Sequence, residues 1–447
     1  MINELLNIFF EKLYSRNIKY CVLHSYDLIP DQIESDIDIT IEYNKIQEIE
    51  EIFEEIENEI GWKVVQKLRH EYCAYYYVLI TYDNNQLYTV QLDFNTDYVR
   101  DGRICLKNID LISNTRKYKN FYILNEEYEF IYLIMKKILK EFFKEKQKNK
   151  LLDLYNIKTD SINEMLKNYF SKDSIIIFQQ GLSADFSIIE TNNKRLKEDL
   201  LNNLRKKDRL GTYKYKILNF NRKIMRIFNP TGCMIVLQGP DGVGKTSVAN
   251  VLINNFHDTF RKTAYYHLKP SLKAKGNPTN GSDEIKYVFD FKYKPTLKDK
   301  IMSYIKVFYN FIFCYTILYY FRIAKEKIKS TFIIFDRYSM DYYIFPEAKR
   351  YYSTLKLPFM LSRIVPKSDL IFYLDCSPEE VLKRKKELPI DQIILQQERS
   401  MRLLKRFNNC YYINAEKSIE EVSKDISIEV ISYLNKRYKE KFKENRK

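Results

Sequence analysis

Between the apolar run Cys233–Gln238 and a segment of helical spacing lies Gly239-Pro-Asp-Gly-Val-Gly-Lys-Thr246, and no other stretch limits the fold of this chain so narrowly. It matches the pattern Gly-x-x-x-x-Gly-Lys-Thr in the strand-to-helix context that the pattern requires. Three of the ten glycines of the chain, Gly239, Gly242 and Gly244, fall within the six positions 239–244. Their freedom lets successive backbone N–H groups turn toward phosphate oxygens, and the following helix adds the partial positive charge of its N-terminus. Lys245 is expected to bridge the β- and γ-phosphates of a bound ATP and Thr246 to hold Mg²⁺, with Asp241, Val243 and Ser247 completing the nucleotide-binding stretch.

Such a loop needs a parallel sheet, and the chain downstream supplies the pattern. Strands are expected at 233–238, Thr331–Phe335, Leu370–Asp375 and Tyr411–Asn414. Helices are expected from 245, over 300–328, from Pro378 and over Ile419–Tyr433. Alternation of this kind predicts an α/β fold, a parallel sheet with helices on both faces. The run Phe332-Ile-Ile-Phe-Asp336-Arg337 ends a strand in a carboxylate and a guanidinium at the edge where such folds bind ligands. Asp336 suits Mg²⁺ and Arg337 suits a phosphate clamp. No Asn-Lys-x-Asp signature follows, which argues against a GTPase.

Asp241, the Asp336-Arg337-Tyr338 triplet, the strand Leu370–Asp375 with Pro378-Glu-Glu-Val-Leu-Lys-Arg384, and Tyr412-Ile-Asn-Ala415 together resemble thymidylate kinases over nearly all of 230–447. His267-Leu-Lys-Pro270, Lys386-Glu-Leu-Pro389 and Gln396 are similar to divergent thymidylate kinase-like proteins of surface-polysaccharide gene clusters. The resemblance implies that Asp241 meets the acceptor's sugar hydroxyl and Arg337 its phosphate, with Lys269 near the same pocket. It also implies that Arg384 and Lys385 belong to a lid and that Ala415 lines the adenine side. Lys245, Asp336, Arg337 and Arg384 are thus the expected catalytic set. Where thymidylate kinases continue with a Ser and an Ala-Tyr-Gln stretch, this chain reads Ser339-Met-Asp341-Tyr-Tyr-Ile-Phe-Pro, so the acceptor is expected to be a nucleotide or a phosphorylated sugar rather than thymidylate in particular.

A length of 447 residues is about three typical domains, and the chain divides into 1–140, 141–229 and 230–447. The first part reads as α+β. Asp36-Ile-Asp-Ile-Thr-Ile-Glu alternates as a half-exposed strand does, a helix is expected over Lys45–Ile60, and strands Tyr75–Thr81 and Leu87–Phe94 flank a turn at Asp83-Asn-Asn-Gln. Ser25, then Asp36 and Asp38 two apart on one strand face, and Asp93 on a later strand resemble a nucleotidyltransferase, which implies that the three acids hold Mg²⁺. That family has Gly before the Ser; here His24 stands there and reads as a strand-end packing residue. The middle part, to about Arg226, is helical with charged runs that read as solvated faces.

The net charge of +15 is compatible with nucleotides, nucleic acid, anionic lipid or a phosphorylated polymer. Lys, Ile, Asn and Tyr are abundant throughout, which points to AT-biased coding rather than to a dedicated nucleic-acid surface. From seven singly scattered cysteines and an N-terminus without a basic start, a cytoplasmic location is expected. Ile301–Phe321 is apolar enough to span a bilayer, yet it lies inside the kinase-like part, so a buried or dimer-forming helix is expected and a homodimer with it. A nucleotide-gated module whose basic helical middle docks a partner or membrane, with an inactive N-terminal part, is the alternative to the bifunctional enzyme.

Overall fold

The computed structural model describes residues 1–84, 86–270, 294–386 and 388–446. Asn85 of the expected turn and Glu387 of the Lys386–Pro389 piece lie outside the described residues. The chain forms two compact units, Met1–Met225 with Tyr438–Lys447, and Arg226–Arg437.

The first unit is built on a seven-stranded mixed sheet. Its strands are β1 (Tyr20–Val22), β2 (Ile37–Ile41), β3 (Lys63–Glu71), β4 (Ala74–Asp83) and β5 (Gln86–Asn95), followed, after the separate ribbon β6 (Tyr98–Arg100) and β7 (Arg103–Leu106), by β8 (Thr115–Tyr118) and β9 (Phe121–Leu124). The order is β3-β4-β5-β2-β1-β9-β8, with β2 parallel to β5 and Asp38 in register with Asp93. The helices Ile2–Ser15 and Ile46–Ile60 bury Leu5, Leu6, Phe9, Phe10 and Ile49, Ile52, Phe53, Ile56 against one face, the spacing of an amphipathic helix.

The helix Glu126–Lys140 forms because Asn125 caps it, accepting from the Tyr128 N–H, with Glu126, Glu127 and Glu129 in its first turn and Lys137 and Lys140 in its last. It anchors a second core that also takes in Leu151, Ile162, Phe178 and Leu200 of the helices beyond it. With both faces of the sheet covered, β2 is buried at all five positions, where the acid-apolar alternation predicted a half-exposed strand.

The second unit carries a five-stranded sheet, β10 (Cys233–Gln238), β11 (Lys262–His267), β12 (Thr331–Asp336), β13 (Leu370–Asp375) and β14 (Cys410–Asn414), in the order β11-β12-β10-β13-β14 and parallel throughout. β11 went unread in the sequence. The chain crosses from one side of β10 to the other between β12 and β13, and the crevice outside the carboxyl ends of the strands at such a switch is where these sheets hold ligands.

The helical stretch Leu297–Ile328 passes through π-helical turns at Asn310–Ile317 and Tyr319–Ile323. It is long and apolar enough to cross a membrane by length and composition. One side of it packs Val307, Phe311, Tyr315 and Ile323 against Ile333 and Phe335 of the sheet, while Ile301, Ile305, Phe308 and Ile312 on the other side are exposed.

Candidate active site

β10 ends at Gln238 and the chain turns through the glycine loop into the helix Lys245–Asn255. Gly242 has φ +89° and Gly244 +97°, values that L side chains rarely adopt, and a Cβ on Gly242 would stand 2.7 Å from Cβ of Lys385. The Lys245 ammonium is buried and turned back on the loop, donating to the carbonyls of Gly239 at 3.1 Å and Pro240 at 2.8 Å. Burial and the nearby Arg337 cation pull its pKa down, so an incoming anion is favoured there. Thr246 and Ser247 are half-buried in the first helical turn.

β12 delivers Asp336 and Arg337 beside this loop. Arg337 donates its N–H to the Leu237 carbonyl at 2.9 Å and takes φ +68°, a left-handed backbone conformation uncommon for a long side chain and characteristic of sites that aim one. Its guanidinium is buried between two carboxylates, bonding Asp241 through Nη2 and Asp341 through Nη1 at 3.0 Å. Asp341 further accepts from Gln238 Nε2 at 2.7 Å and lies 3.2 Å from Lys349 Nζ. Burial alone would raise the pKa of both acids, but Arg337, with Lys245 at Asp241 and Lys349 at Asp341, holds both down, Asp341 to about 2.

Asp336 accepts from the Tyr265 hydroxyl at 3.0 Å through Oδ2, and the same hydroxyl bonds the Thr246 side chain. Its Oδ1 is buried without a hydrogen-bond partner. A carboxylate oxygen left bare among the loop, Thr246 and Lys245 is an appropriate donor for a hard cation, so the residues fit the expected Mg²⁺.

This strand-end pair falls within the part of the chain that the comparisons reach. Residues 300–426 match the thymidylate kinase family. The match begins downstream of the glycine loop and takes in β12, β13, β14 and the helices between them. The fold of thymidylate kinase from Candida albicans aligns at a TM-score of 0.33 with 16% identity, over 46% of this chain and 93% of that one. Among curated proteins none matches the chain. The thymidylate kinase match supports a phosphotransferase of the nucleoside monophosphate kinase type in this part of the molecule.

Two of the remaining residues expected from the thymidylate kinase resemblance, Arg384 and Ala415, meet at a second place. Arg384, at the end of the helix Pro378–Arg384, donates from Nη1 to the Ala415 carbonyl at 2.8 Å and from Nε to Glu380 at 3.1 Å. Ala415 in turn donates its N–H to the Asp375 carbonyl at 2.7 Å. A cleft of about 540 Å³ opens beside them, lined by Asp375, Ser377, Gln397, Tyr412, Asn414 and Glu416. Arg384 thus bonds Ala415, while the adjacent Lys385 reaches the loop at Gly242. Lys269 is exposed, two residues beyond β11. Sequence reasoning missed Gln238, Tyr265 and Lys349 altogether, and gave no role to Asp341, whose place four residues after Arg337 was the available signal.

In the first unit the ligand oxygens of Asp36, Asp38 and Asp93 lie within 4.8 Å of one another. Asp38 Oδ2 is met by Lys136 Nζ at 3.0 Å and His24 Nε2 at 2.6 Å; burial would raise its pKa, but the Lys136 charge and the hydrogen bonds from both side chains hold it well below the usual range. His24 packs on the Tyr132 ring, as expected, and also reaches this carboxylate. Asp93 makes no ion pair among the described residues, with Lys136 and Arg100 acting on it only from a distance. Burial, with Asp38 and Asp36 nearby, pushes its pKa up to about 8, and its Oδ1 is buried and unpartnered. The three acids thus fit a divalent cation in part, since Lys136 and His24 already balance Asp38.

Proposed function

We propose that Arg226–Arg437 is an ATP- and Mg²⁺-dependent phosphotransferase that moves a γ-phosphoryl group onto a small phosphorylated acceptor, a nucleotide or a phosphorylated sugar. The observation that carries this reading is the buried Arg337 guanidinium, joined to Asp241 of the glycine loop and held from behind by Asp341. A guanidinium fixed beside the loop suits the phosphate of an acceptor in addition to those of the nucleotide. On entry the acceptor phosphate exchanges for the Asp241 carboxylate, and Asp341, braced by Gln238 and Lys349, keeps the guanidinium aimed. The displaced Asp241 is then free to accept from a hydroxyl of the acceptor.

Lys245 exchanges its two loop carbonyls for phosphate oxygens, and the backbone N–H groups of 242–246 receive the rest. Thr246 and Asp336 would hold Mg²⁺, which when bound neutralises charge on the β- and γ-phosphates. Arg384, Ala415 and the cleft beside them form the adenine side, and Lys385 closes over the loop. Catalysis is then positioning and charge neutralisation, with water kept from the transferring group.

A second copy of the chain is the proposed partner of the exposed face at Ile301, Ile305, Phe308 and Ile312, because the stretch Ile301–Phe321 carries Lys306 and no other charge and two such faces complement one another about a two-fold axis. A cytoplasmic role in surface-polysaccharide synthesis fits a phosphorylated-sugar acceptor. Release of ADP by the purified chain, followed with a panel of nucleoside monophosphates and sugar phosphates, tests the reading. A strong rise with one class of acceptor supports it, and a rate indifferent to every acceptor overturns it.

A second reading, nucleotidyl transfer by the first unit, is favoured by one observation, the convergence of Asp36, Asp38 and Asp93. Mn²⁺ binding by the chain that disappears in Asp93→Asn supports it, and identical binding in that variant sinks it.

A further inference from the structure

The helix Arg209–Phe228 is assembled the wrong way round for a soluble protein. Its packed side is polar: Thr212 is buried, the Tyr215 hydroxyl donates to Asp97 at 3.3 Å, Asn219 accepts from the Tyr72 N–H at 3.0 Å, and Arg222 donates to the Arg69 carbonyl at 2.6 Å. Its apolar side faces out. Leu210, Tyr213, Ile217, Phe220 and Ile224 recur at helical spacing on an arc of about 80°, and their exposures are 85%, 58%, 61%, 62% and 37%. A helix of a globular protein normally buries that stripe and solvates the other side.

Charge decides what covers it. From 209 to 228 the chain carries six Lys or Arg and no Asp or Glu, and Arg205, Lys206 and Lys207 precede it. Lys214 falls on one flank of the stripe and Lys216 and Lys223 on the other. A second copy brought face to face would oppose these cations to one another, so self-association is disfavoured here. An apolar stripe between two cationic flanks, with Tyr213 and Phe220 in it, suits the interface of an anionic bilayer, where the ring faces enter the acyl boundary and the ammonium groups stay among phosphates.

We infer that this helix docks the protein peripherally on anionic lipid, lying in the plane of the surface. The inference rests on the first unit alone and stands whether or not the second unit is a phosphotransferase.

Co-sedimentation of the full chain with phosphatidylcholine vesicles, with and without phosphatidylglycerol, tests it. Binding is expected only with phosphatidylglycerol, weakening as salt rises. Ile217→Glu with Phe220→Glu, and separately Lys214→Glu with Lys223→Glu, should each reduce the partition coefficient by about tenfold or more, with unchanged thermal melting because these side chains are exposed. Absence of binding to the anionic vesicles overturns the proposal. So does equal binding by the Ile217/Phe220 variant, or a wild-type dimer in light scattering that the same variant dissolves.

Discussion

Arg337 concentrates the account in one side chain. It is a fixed fork with a carboxylate on each arm, so a lysine in its place keeps the charge and loses one of the two bonds. Arg337→Lys is expected to lower kcat/KM for the phosphorylated acceptor by about a hundredfold, while ATP affinity, measured by titration calorimetry, stays within a few fold. Asp341 behaves differently, because it holds charge rather than substrate. Asp341→Asn leaves Lys349 and one arm of Arg337 buried without their anion, and denaturant unfolding should register a loss of about 3–5 kcal/mol at pH 7.

Arg337 and Lys349 hold the folded pKa of Asp341 at about 2, below the ordinary aspartate value, so its contribution to stability is present above about pH 4 and is lost as the pH falls toward 2. That shift is worth about 2 kcal/mol, and acid titration of stability in Asp341→Asn should be flatter by that amount over this window. At this scale the sequence made Lys245, Asp336 and Arg337 legible because each belongs to a compact motif. Tyr265 was not, since it comes from β11, 71 residues before Asp336, and meets it only once the sheet is assembled; Lys349 lies in an irregular turn eight residues after Asp341 and belongs to no motif.

The elements differ in how openly they announce themselves. β10 and the loop after it read plainly, because a fully buried parallel strand is a continuous apolar run and the glycines mark its end. β11 did not, as Lys262-Thr-Ala-Tyr-Tyr-His is a mixed edge strand with no turn signal comparable to the loop. β2 was read as half-exposed because its acids looked solvated, whereas Asp38 is buried against Lys136 and His24. The loop itself makes a sharp prediction. Gly242→Ala must hold a left-handed backbone and push against Lys385, a cost of roughly 1–2 kcal/mol before any ligand arrives. Nucleotide affinity in that variant should fall by at least about tenfold, with the thermal midpoint of the free protein lowered by only a few degrees.

Among the described residues, two exposed apolar helical faces stand out, and the charges beside them separate their roles. The face at Ile301, Ile305, Phe308 and Ile312 is flanked by little charge and is proposed to meet its own copy. Light scattering on the purified chain is expected to give twice the chain mass, and Ile305→Glu with Phe308→Glu to give the monomer with acceptor-dependent turnover still detectable. A monomeric wild type would remove this part of the account.

The division of chemistry between the units is the larger claim, and it rests on the second. The most direct measurement follows label from the γ-phosphate of ATP in the presence of Mg²⁺ and each candidate acceptor. The account predicts label recovered on one phosphorylated acceptor, mole for mole with ADP, and lost in Lys245→Ala; label found only as inorganic phosphate with every acceptor, or transfer that survives Lys245→Ala, would contradict it.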